Sequence, residues 1–199
     1  ENVLVVNAAL PVKNLKDLLA MAAAKPESVS FASPGAGSQA HLAGELMALN
    51  ANVRLIHVPY KGTGPALVDV IGGQVTMMFG QMSSVLPQIK SGKLRAIGVA
   101  SLKRSAVLPD VPTIAEQGMP NFEAVSWYAL MVPAATPKVI VDKLNAESLK
   151  MLAKPAIQEK FAGLGLEPGG GTPQALAATI QTETVRWADV IQKKNIKAE

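Results

Sequence analysis

The sequence contains no cysteine, few aromatic residues and no long apolar run. Without cysteine the chain cannot form disulfides, use a thiolate nucleophile or hold zinc through sulfur. The absence of cysteine neither requires nor forbids an oxidising compartment. Aromatic residues make up 4% of the chain and the 19 Lys and Arg residues are scattered, so the net charge of +4 does not indicate a nucleic-acid surface. Apolar stretches such as residues 3–6 and 96–100 fall far short of the ~20 residues of a membrane-spanning helix. The 49% of hydrophobic residues are nevertheless ample for a globular core.

Strand and helix patterns alternate along the first hundred residues. Short apolar runs predict buried strands at 2–7, 29–32, 54–58, 75–79 and 94–100. Apolar residues at helical spacing predict helices from residue 15 to the break at Pro26, at 39–49, at 65–71 and at 83–90. Asn14 and Ser83 are the expected caps of the first and the last of these helices. Such alternation is typical of an α/β fold with a doubly wound, mixed or mostly parallel sheet.

Beyond residue 100 the pattern changes. Residues 101–120 are rich in Pro, Asp and Gly and predict a connector that leaves the sheet, with one short helix at 113–117. A strand-like run covers 122–132, and three helices are predicted at 137–152, 155–164 and 173–193. The apolar stripes of these last helices have almost no strands left to cover, which indicates that part of their partner sheet is missing.

A glycine-rich turn follows the second strand and opens the second helix, where a parallel sheet usually binds its ligand. Gly35 and Gly37 let the backbone approach a ligand closely, and the free N–H groups at the helix start favour an anion. Ser38 adds a hydroxyl donor, while Ser33 and Ala36 complete the turn. The same pattern also fits a tight turn capped by Ser38 without any ligand. The turn lacks the Lys-Ser/Thr of a P-loop and the third glycine of a dinucleotide site, so nucleotide cofactors are not expected.

A second turn follows the third strand, and its side chains are expected to emerge at the same edge of the sheet. Tyr60 offers an amphipathic wall with a hydroxyl, Lys61 a positive charge, and the amides of Gly62 and Thr63 further anion donors. Lys61 alternatively is a solvated surface cation. After the next strand, Gln81 could contact a ligand through its amide, although a capping turn is the favoured interpretation.

The sequence offers little for catalysis or metal binding. His41 and His57 are the only histidines, and no carboxylate pair lies at a metal or acid/base spacing from them. His41, one turn into its helix, is expected to be a hydrogen-bonding strut rather than a base. An enzyme that uses Lys61 or His41 as an acid/base ranks last among the possible functions, because no partner residue is evident. We therefore expect no cofactor, no metal and no reaction.

Several motifs in register resemble the tripartite tricarboxylate transporter receptors, also called Bug-type extracytoplasmic solute receptors. The matching segments are 32–38, 41–45, 57–62, 72–75, 92–96, 104–105, 108–113 and Trp127 ahead of Val132-Pro133. The resemblance covers essentially the whole chain. It implies a two-lobed, Venus-flytrap protein of the type II periplasmic-binding-protein class that closes over a small carboxylate and delivers it to the permease subunits of a membrane transporter.

The resemblance also implies a domain division. Residues 8–122 correspond to the second lobe, whereas 1–7 and 123–199 belong to a first lobe whose opening portion, roughly a hundred residues, is absent. Because the chain starts without Met or a leader, either processing or a fragment is expected. The C-terminal helices should then expose apolar surface or pair with another copy of the chain, giving a possible homodimer.

In the family, one carboxylate is clamped between a loop of each lobe, and the second-lobe loop corresponds to residues 33–38. The resemblance therefore assigns ligand binding to this loop, to His41, to the second wall at 60–63 and to Gln81, where relatives commonly carry Asp. The expected function is that of a periplasmic carboxylate receptor. The alternative is a truncated remnant that oligomerises and no longer captures solute.

Overall fold

The computed structural model describes residues 1–197, which form five strands and seven helices. The strands are β1 (Asn2–Asn7), β2 (Ser30–Ser33), β3 (Ile56–Pro59), β4 (Met77–Gln81) and β5 (Leu94–Val99). The helices are α1 (Leu15–Ala24), α2 (Gln39–Ala51), α3 (Thr63–Ile71), α4 (Met82–Lys90), α5 (Lys138–Leu152), α6 (Pro155–Gly163) and α7 (Pro173–Lys193). The predicted α/β alternation is confirmed, with element bounds moved by a few residues.

All five strands form one mixed sheet in the order β3-β2-β4-β1-β5. Strand β2 pairs in parallel with both β3 and β4, whereas β1 pairs antiparallel with both β4 and β5. The carboxyl ends of β2, β3 and β4 therefore meet at one edge of the sheet. This edge carries the turns that the sequence predicts to bind a ligand.

Strand β1 lies inside this sheet, which contradicts its assignment to the first lobe. The expectation that residues 1–7 belong to the incomplete lobe is wrong, because Val3 to Val6 pair with β4 on one side and with β5 on the other. All four of these residues are fully buried. A run that is apolar on both faces fits any central strand, so the sequence gives neither its neighbours nor its direction. The division between 8–122 and 123–199 stays a prediction.

Alternate side chains of β1 divide the core into two layers. Leu4 and Val6 face a cluster built with α1, α2 and α7, whereas Val3 and Val5 face a cluster built with α3 and α4. At the C-terminal end of the chain, Trp187 and Val190 of α7 join the first cluster. The sheet is therefore covered on both faces, as expected for a doubly wound fold.

Three local predictions are wrong. Residues 113–117 form turns instead of a helix, because Thr113 pairs with Val99 in an isolated bridge and so extends the sheet by one residue. Residues 122–132 form no strand; only Ala124 reaches the sheet end, where its N–H donates to Ala100. Helix α4 begins at Met82 directly after β4, so Gln81 and not Ser83 is its N-cap. The cap predicted at Asn14 is confirmed, since its side chain accepts from the backbone N–H of Asp17.

The helices after residue 137 contribute little to the core. Within the described residues, α5 and α6 have no buried side chain, and α7 has only Trp187 and Val190. The apolar residues Val139 and Ile140 are 74% and 47% exposed. The expected exposure of apolar surface on these helices is therefore present. Among the helices of residues 1–197, none combines the length and the apolar character that a membrane crossing requires.

Candidate functional site

The loop of residues 33–38 connects β2 to α2 at the ligand-binding edge of the sheet. Gly35 has φ 147° and Gly37 has φ 72°, backbone conformations that side chains other than glycine rarely adopt. Ser38 is the N-cap of α2, and its hydroxyl accepts from the His41 N–H. The loop therefore wraps tightly around the start of a 13-residue helix.

The two serines of this loop hold it together from the inside. The Ser38 hydroxyl donates to the Gly35 carbonyl at 2.7 Å, and the buried Ser33 hydroxyl accepts from the Gly35 N–H at 3.2 Å. The sequence predicts Ser38 as a donor to the ligand, but in the structure its hydroxyl hydrogen is used in the bond to the Gly35 carbonyl. Because both side chains are already bonded, they shape the turn rather than extend from it.

Backbone N–H groups at the start of α2 are the donors that remain. The Gly37 N–H is taken by the Nδ1 atom of His41 at 3.0 Å, and the Ser38 N–H by the Gly35 carbonyl. Within residues 1–197, the N–H groups of Ala36, Gln39 and Ala40 form no hydrogen bond. These donors lie at the positive end of the α2 dipole, which is the usual setting for a bound anion.

The second turn, at residues 60–63, is joined directly to the first. The Tyr60 N–H donates to the Ser33 carbonyl at 2.9 Å, and the Gly62 N–H donates to the Pro34 carbonyl at 3.1 Å. The expectation that both turns lie at one edge is therefore confirmed. Lys61 is exposed next to them, and Thr63 is the first residue of α3, whose N-cap Gly62 has no side-chain cap. The start of α3 thus adds a second positive helix end.

The Tyr60 hydroxyl is engaged by α3. The phenol donates to the Asp69 carboxylate of α3 at 2.6 Å. Burial and the hydrogen bond to Asp69 raise the pKa of Tyr60 to about 12, so the phenol keeps its proton. Its ring packs against the core cluster built with α3 and α4, and its hydroxyl fixes α3 to the turn. The role of the ring as a ligand wall stays a prediction.

The two histidines form a stacked pair below the loop. Their ring centroids are 3.6 Å apart and their planes differ by 7°. The His57 Nε2 atom lies 2.6 Å from the Ser33 hydroxyl. Burial lowers the pKa of His41, and burial together with the neighbouring His41 lowers that of His57 to about 4. His41 is therefore a hydrogen-bonding strut, as expected, whereas the part played by His57 was not predicted from the sequence.

Gln81 ends β4 at the same edge, since β4 and β2 are parallel. Its side-chain amide donates to the Tyr128 hydroxyl at 2.8 Å, and both residues line a cavity of about 90 Å³. A neighbouring cavity of about 250 Å³ is lined by residues beside the start of α2, and Ser126 borders both cavities. The residues that line the larger cavity were not predicted to bind a ligand; they are Gln39, Val125, Ser126, Trp127, Glu183 and Trp187.

The chemistry available at this edge is binding rather than reaction. The two histidines are mutually stacked and already hydrogen-bonded, and Lys61 is exposed. Within the described residues, no group of three His, Asp or Glu side chains could hold a metal ion. What remains is a set of backbone donors at positive helix ends, which suits a carboxylate.

A family model described as the tripartite tricarboxylate transporter family receptor matches residues 1–196. The chain is 42% identical over 99% of its length to a UPF0065 protein encoded between tcbD and tcbE in a Pseudomonas species. It is 41% identical over 98% of its length to protein BugT of Bordetella pertussis. The chain spans 59% and 60% of the lengths of these two relatives.

Solved structures show the same fold. An R. palustris protein with adipate has a TM-score of 0.90 and 34% identity, covering 98% of this chain and 65% of that one. The malate-bound protein MatC from Rhodopseudomonas palustris has a TM-score of 0.85 and 32% identity, covering 96% and 66%. The periplasmic binding protein BugD has a TM-score of 0.86 and 35% identity, covering all of this chain and 67% of that one.

These matches confirm the resemblance noted in the sequence, and they are to receptors and binding proteins rather than to enzymes. The match extends through the glycine-rich loop, the second turn and the C-terminal helices alike, because it runs over residues 1–196. The chain belongs to the tripartite tricarboxylate transporter receptor family.

Proposed function

We propose that this chain is the carboxylate-binding portion of a periplasmic solute receptor. The observation that carries the proposal is the set of unengaged N–H groups, at Ala36, Gln39 and Ala40, at the positive end of α2. A ligand carboxylate there accepts from these amides in a bidentate manner and gains from the helix dipole. The turn at 60–63 lies alongside and forms a second wall.

The ligand class is a small carboxylate: a di- or tricarboxylate, an amino acid or an aromatic acid. Two structural relatives are described with adipate and with malate, both of which are dicarboxylates. The Lys61 charge and the start of α3 supply positive potential for a second anionic group. Gln81 offers an uncharged amide in the same area, so it does not repel a ligand carboxylate.

The role we assign is solute capture for a membrane permease of the tripartite tricarboxylate type. The family description names a transporter receptor, and one structural relative is described as a periplasmic binding protein. The receptor would meet its permease at the outer face of the cytoplasmic membrane. Selectivity among carboxylates then depends on the walls at 60–63 and at Gln81.

Closure over the ligand is the step that this chain performs only in part. The chain spans about 60% of the curated relatives that it matches, and the loop at 33–38 provides one side of a clamp. Without an opposing lobe, water reaches the bound carboxylate and weakens its hydrogen bonds. We therefore expect weak binding by residues 1–199 alone and stronger binding when a first-lobe segment is restored.

A second candidate function is self-association through the C-terminal helices. Its supporting observation is the apolar surface on α5, where Val139 is 74% and Ile140 is 47% exposed. Such a patch favours contact with another protein surface. A mass in solution that rises with protein concentration would favour this alternative, whereas a constant monomer mass would contradict it.

Isothermal titration against citrate, malate, adipate, aspartate and nicotinate tests the main proposal. The matched variants are Gly37→Asp in the loop and Gly92→Asp at a remote turn. Both glycines have φ 72° and open space around an added Cβ, so both substitutions impose the same backbone strain. Only Gly37→Asp places a negative charge beside the proposed carboxylate site.

We expect Gly37→Asp to lower the affinity at least about tenfold and Gly92→Asp to leave it unchanged, since a like charge beside a bound anion costs more than about 1.4 kcal/mol. Equal affinity of both variants for every acid that binds the parent chain would refute the site. Absence of binding in the short chain, with binding in a version that carries a first-lobe segment, would show that both lobes are needed.

A further inference from the structure

Three aromatic rings are stacked directly below the candidate carboxylate loop. Phe31 lies 5.0 Å from His57 between ring centroids, and His57 lies 3.6 Å from His41. Phe31 is fully buried in β2, His57 lies in β3 and His41 lies in the first turn of α2. The stack therefore spans the three elements from which the loop and the second turn emerge.

Each histidine of the stack is bonded to a different end of the loop. His57 bonds through Nε2 to the hydroxyl of Ser33, which in turn accepts from the Gly35 N–H. At the other end, the Nδ1 atom of His41 accepts from the Gly37 N–H. Because Gly35 and Gly37 flank Ala36, these two bonds fix the peptide planes on both sides of the proposed donor.

The bond to Gly37 requires a particular protonation state of His41. An imidazole nitrogen that accepts an N–H must carry a lone pair, so Nδ1 is unprotonated and Nε2 holds the hydrogen. From α2, Glu45 faces Nε2 at 3.9 Å, but its other oxygen is paired at 2.9 Å with Lys194, which follows α7. From β3, the His57 ring stacks on the His41 ring, so a charge on either ring repels a charge on the other.

We propose that His41 and His57 act as an uncharged, stacked pair of positioning residues that hold the 33–38 loop in its carboxylate-binding conformation. The expected effect on ligand affinity rests on the proposed function. The conformation of the 33–38 loop, by contrast, can be measured in the ligand-free protein. A flat or branched apolar side chain at either position could fill the same space. It would lack the acceptor that His41 Nδ1 offers to Gly37 and the hydrogen bond that His57 Nε2 makes with Ser33.

Two pairs of variants separate hydrogen bonding from packing. Asparagine presents an amide oxygen at the position of Nδ1, so His41→Asn keeps an acceptor for Gly37, whereas His41→Leu keeps apolar bulk only. Glutamine presents an amide at the position of Nε2, so His57→Gln keeps a partner for Ser33, whereas His57→Leu does not. Circular dichroism and thermal melting first establish that each variant folds.

The ligand-free readout is the backbone amide spectrum of ¹⁵N-labelled protein. We expect the Gly37 amide proton to lie downfield in the parent chain and in His41→Asn, and to move upfield in His41→Leu. The Gly35 amide should shift in His57→Leu but not in His57→Gln. In the parent chain, ¹⁵N spectra of the rings should show an unprotonated Nδ1 on His41, a measurement that needs no variant. An unmoved Gly37 amide in a folded His41→Leu, or a protonated Nδ1 in the parent, would overturn the proposal.

Titration with malate and adipate then measures the effect on binding. We expect about a tenfold loss of affinity in His41→Leu and a smaller loss in His41→Asn, as for one lost hydrogen bond of about 1 to 1.5 kcal/mol. Equal affinities in parent and His41→Leu would overturn the positioning role. If the parent chain and its two-lobed version bind no acid, the proposed function fails, and the amide spectra still decide whether the pair holds the loop.

Discussion

The Tyr60 phenol donates a 2.6 Å hydrogen bond to the Asp69 carboxylate, nine residues further along the chain. Tyr60 lies in the second turn at the ligand edge, whereas Asp69 lies in the last half of α3. The bond therefore ties the turn to the body of the helix that it opens. It also removes from the site the hydroxyl that the sequence predicts as part of a ligand wall.

Tyr60→Phe should therefore affect stability more than binding. A hydrogen bond to a charged acceptor contributes about 1.5 to 3 kcal/mol, and we expect the free energy of unfolding in urea to fall by about 1.5 kcal/mol. The carboxylate affinity of a two-lobed version should change less than about threefold, because the ring is kept. Tyr128→Phe is the control: its hydroxyl is an exposed acceptor from Gln81, so stability should stay within about 0.5 kcal/mol. A large loss of affinity in Tyr60→Phe with unchanged stability would contradict this role.

Gly44→Ala should destabilise the protein although it lies inside a helix. Alanine normally stabilises a helix interior by about 1 kcal/mol relative to glycine. A Cβ on Gly44 would lie 2.4 Å from the Phe31 ring, which is fully buried and stacked on His57 and so has nowhere to move. We expect a loss of about 1 to 3 kcal/mol in chemical unfolding, as for overpacked cores.

The control for this substitution is Gly163→Ala, at the end of α6, where an added Cβ meets open space. That variant should be neutral or up to about 1 kcal/mol more stable than the parent. Equal effects of the two substitutions would show that the Phe31 ring can yield and that the stack below the loop is loosely held.

The sequence predicts the elements well where local chemistry determines them. The cap at Asn14, the helix after Pro173 and the two turns at the sheet edge follow from capping residues, from proline at a helix start and from glycine. Strand β1 illustrates the limit, because Val3 to Val6 are buried on both faces and nothing in such a run fixes its neighbours.

The contents of the candidate site were predicted only in part, for a related reason. Gly35 and Gly37 are visible in the sequence because their conformations demand glycine. The stacking of His57 on His41 depends on the pairing of β2 with β3, a contact between residues distant in sequence. The bonds that occupy the Ser38 and Tyr60 hydroxyl groups are likewise set by three-dimensional packing, so composition and spacing could not exclude those groups as ligand donors.

Arg95→Met should weaken the connection between β1 and α1. The Arg95 guanidinium of β5 donates to three backbone carbonyls of that connection, at 2.8 to 2.9 Å; they belong to Ala8, Leu10 and Val12. Methionine keeps the length of the side chain but leaves these partly buried carbonyls without a donor. We expect a loss of about 2 to 3 kcal/mol in urea unfolding. Arg54→Met, whose parent side chain is 72% exposed and 3.7 Å from Glu27, should cost less than about 0.5 kcal/mol; a comparable cost would contradict the prediction.

The stability of the protein should fall as the pH drops through the range in which an unfolded histidine becomes charged. Burial and the neighbouring His41 lower the pKa of His57 from 6.5 to about 4 in the folded protein. Between these two pKa values His57 is protonated in the unfolded state but neutral in the folded state, so the free energy of unfolding rises with pH. The protonation of His57 therefore costs no stability above about pH 7, and it lowers the free energy of unfolding progressively toward pH 4.

His57→Gln removes this titration while keeping an amide at the position of Nε2. Between about pH 7 and pH 4.5, urea unfolding of the parent should lose about 1 to 2 kcal/mol more than the variant does, a figure reduced from the full shift because the ring is partly exposed. Carboxylates titrate in both proteins, so the difference between the two curves reports the titration of His57 together with its repulsion of a charge on His41. Parallel curves would mean that His57 takes up its proton in the folded state as readily as in the unfolded one, and the stack with His41 would then not exclude charge. Curves that converge toward neutral pH and diverge in acid are what a desolvated, neutral imidazole requires.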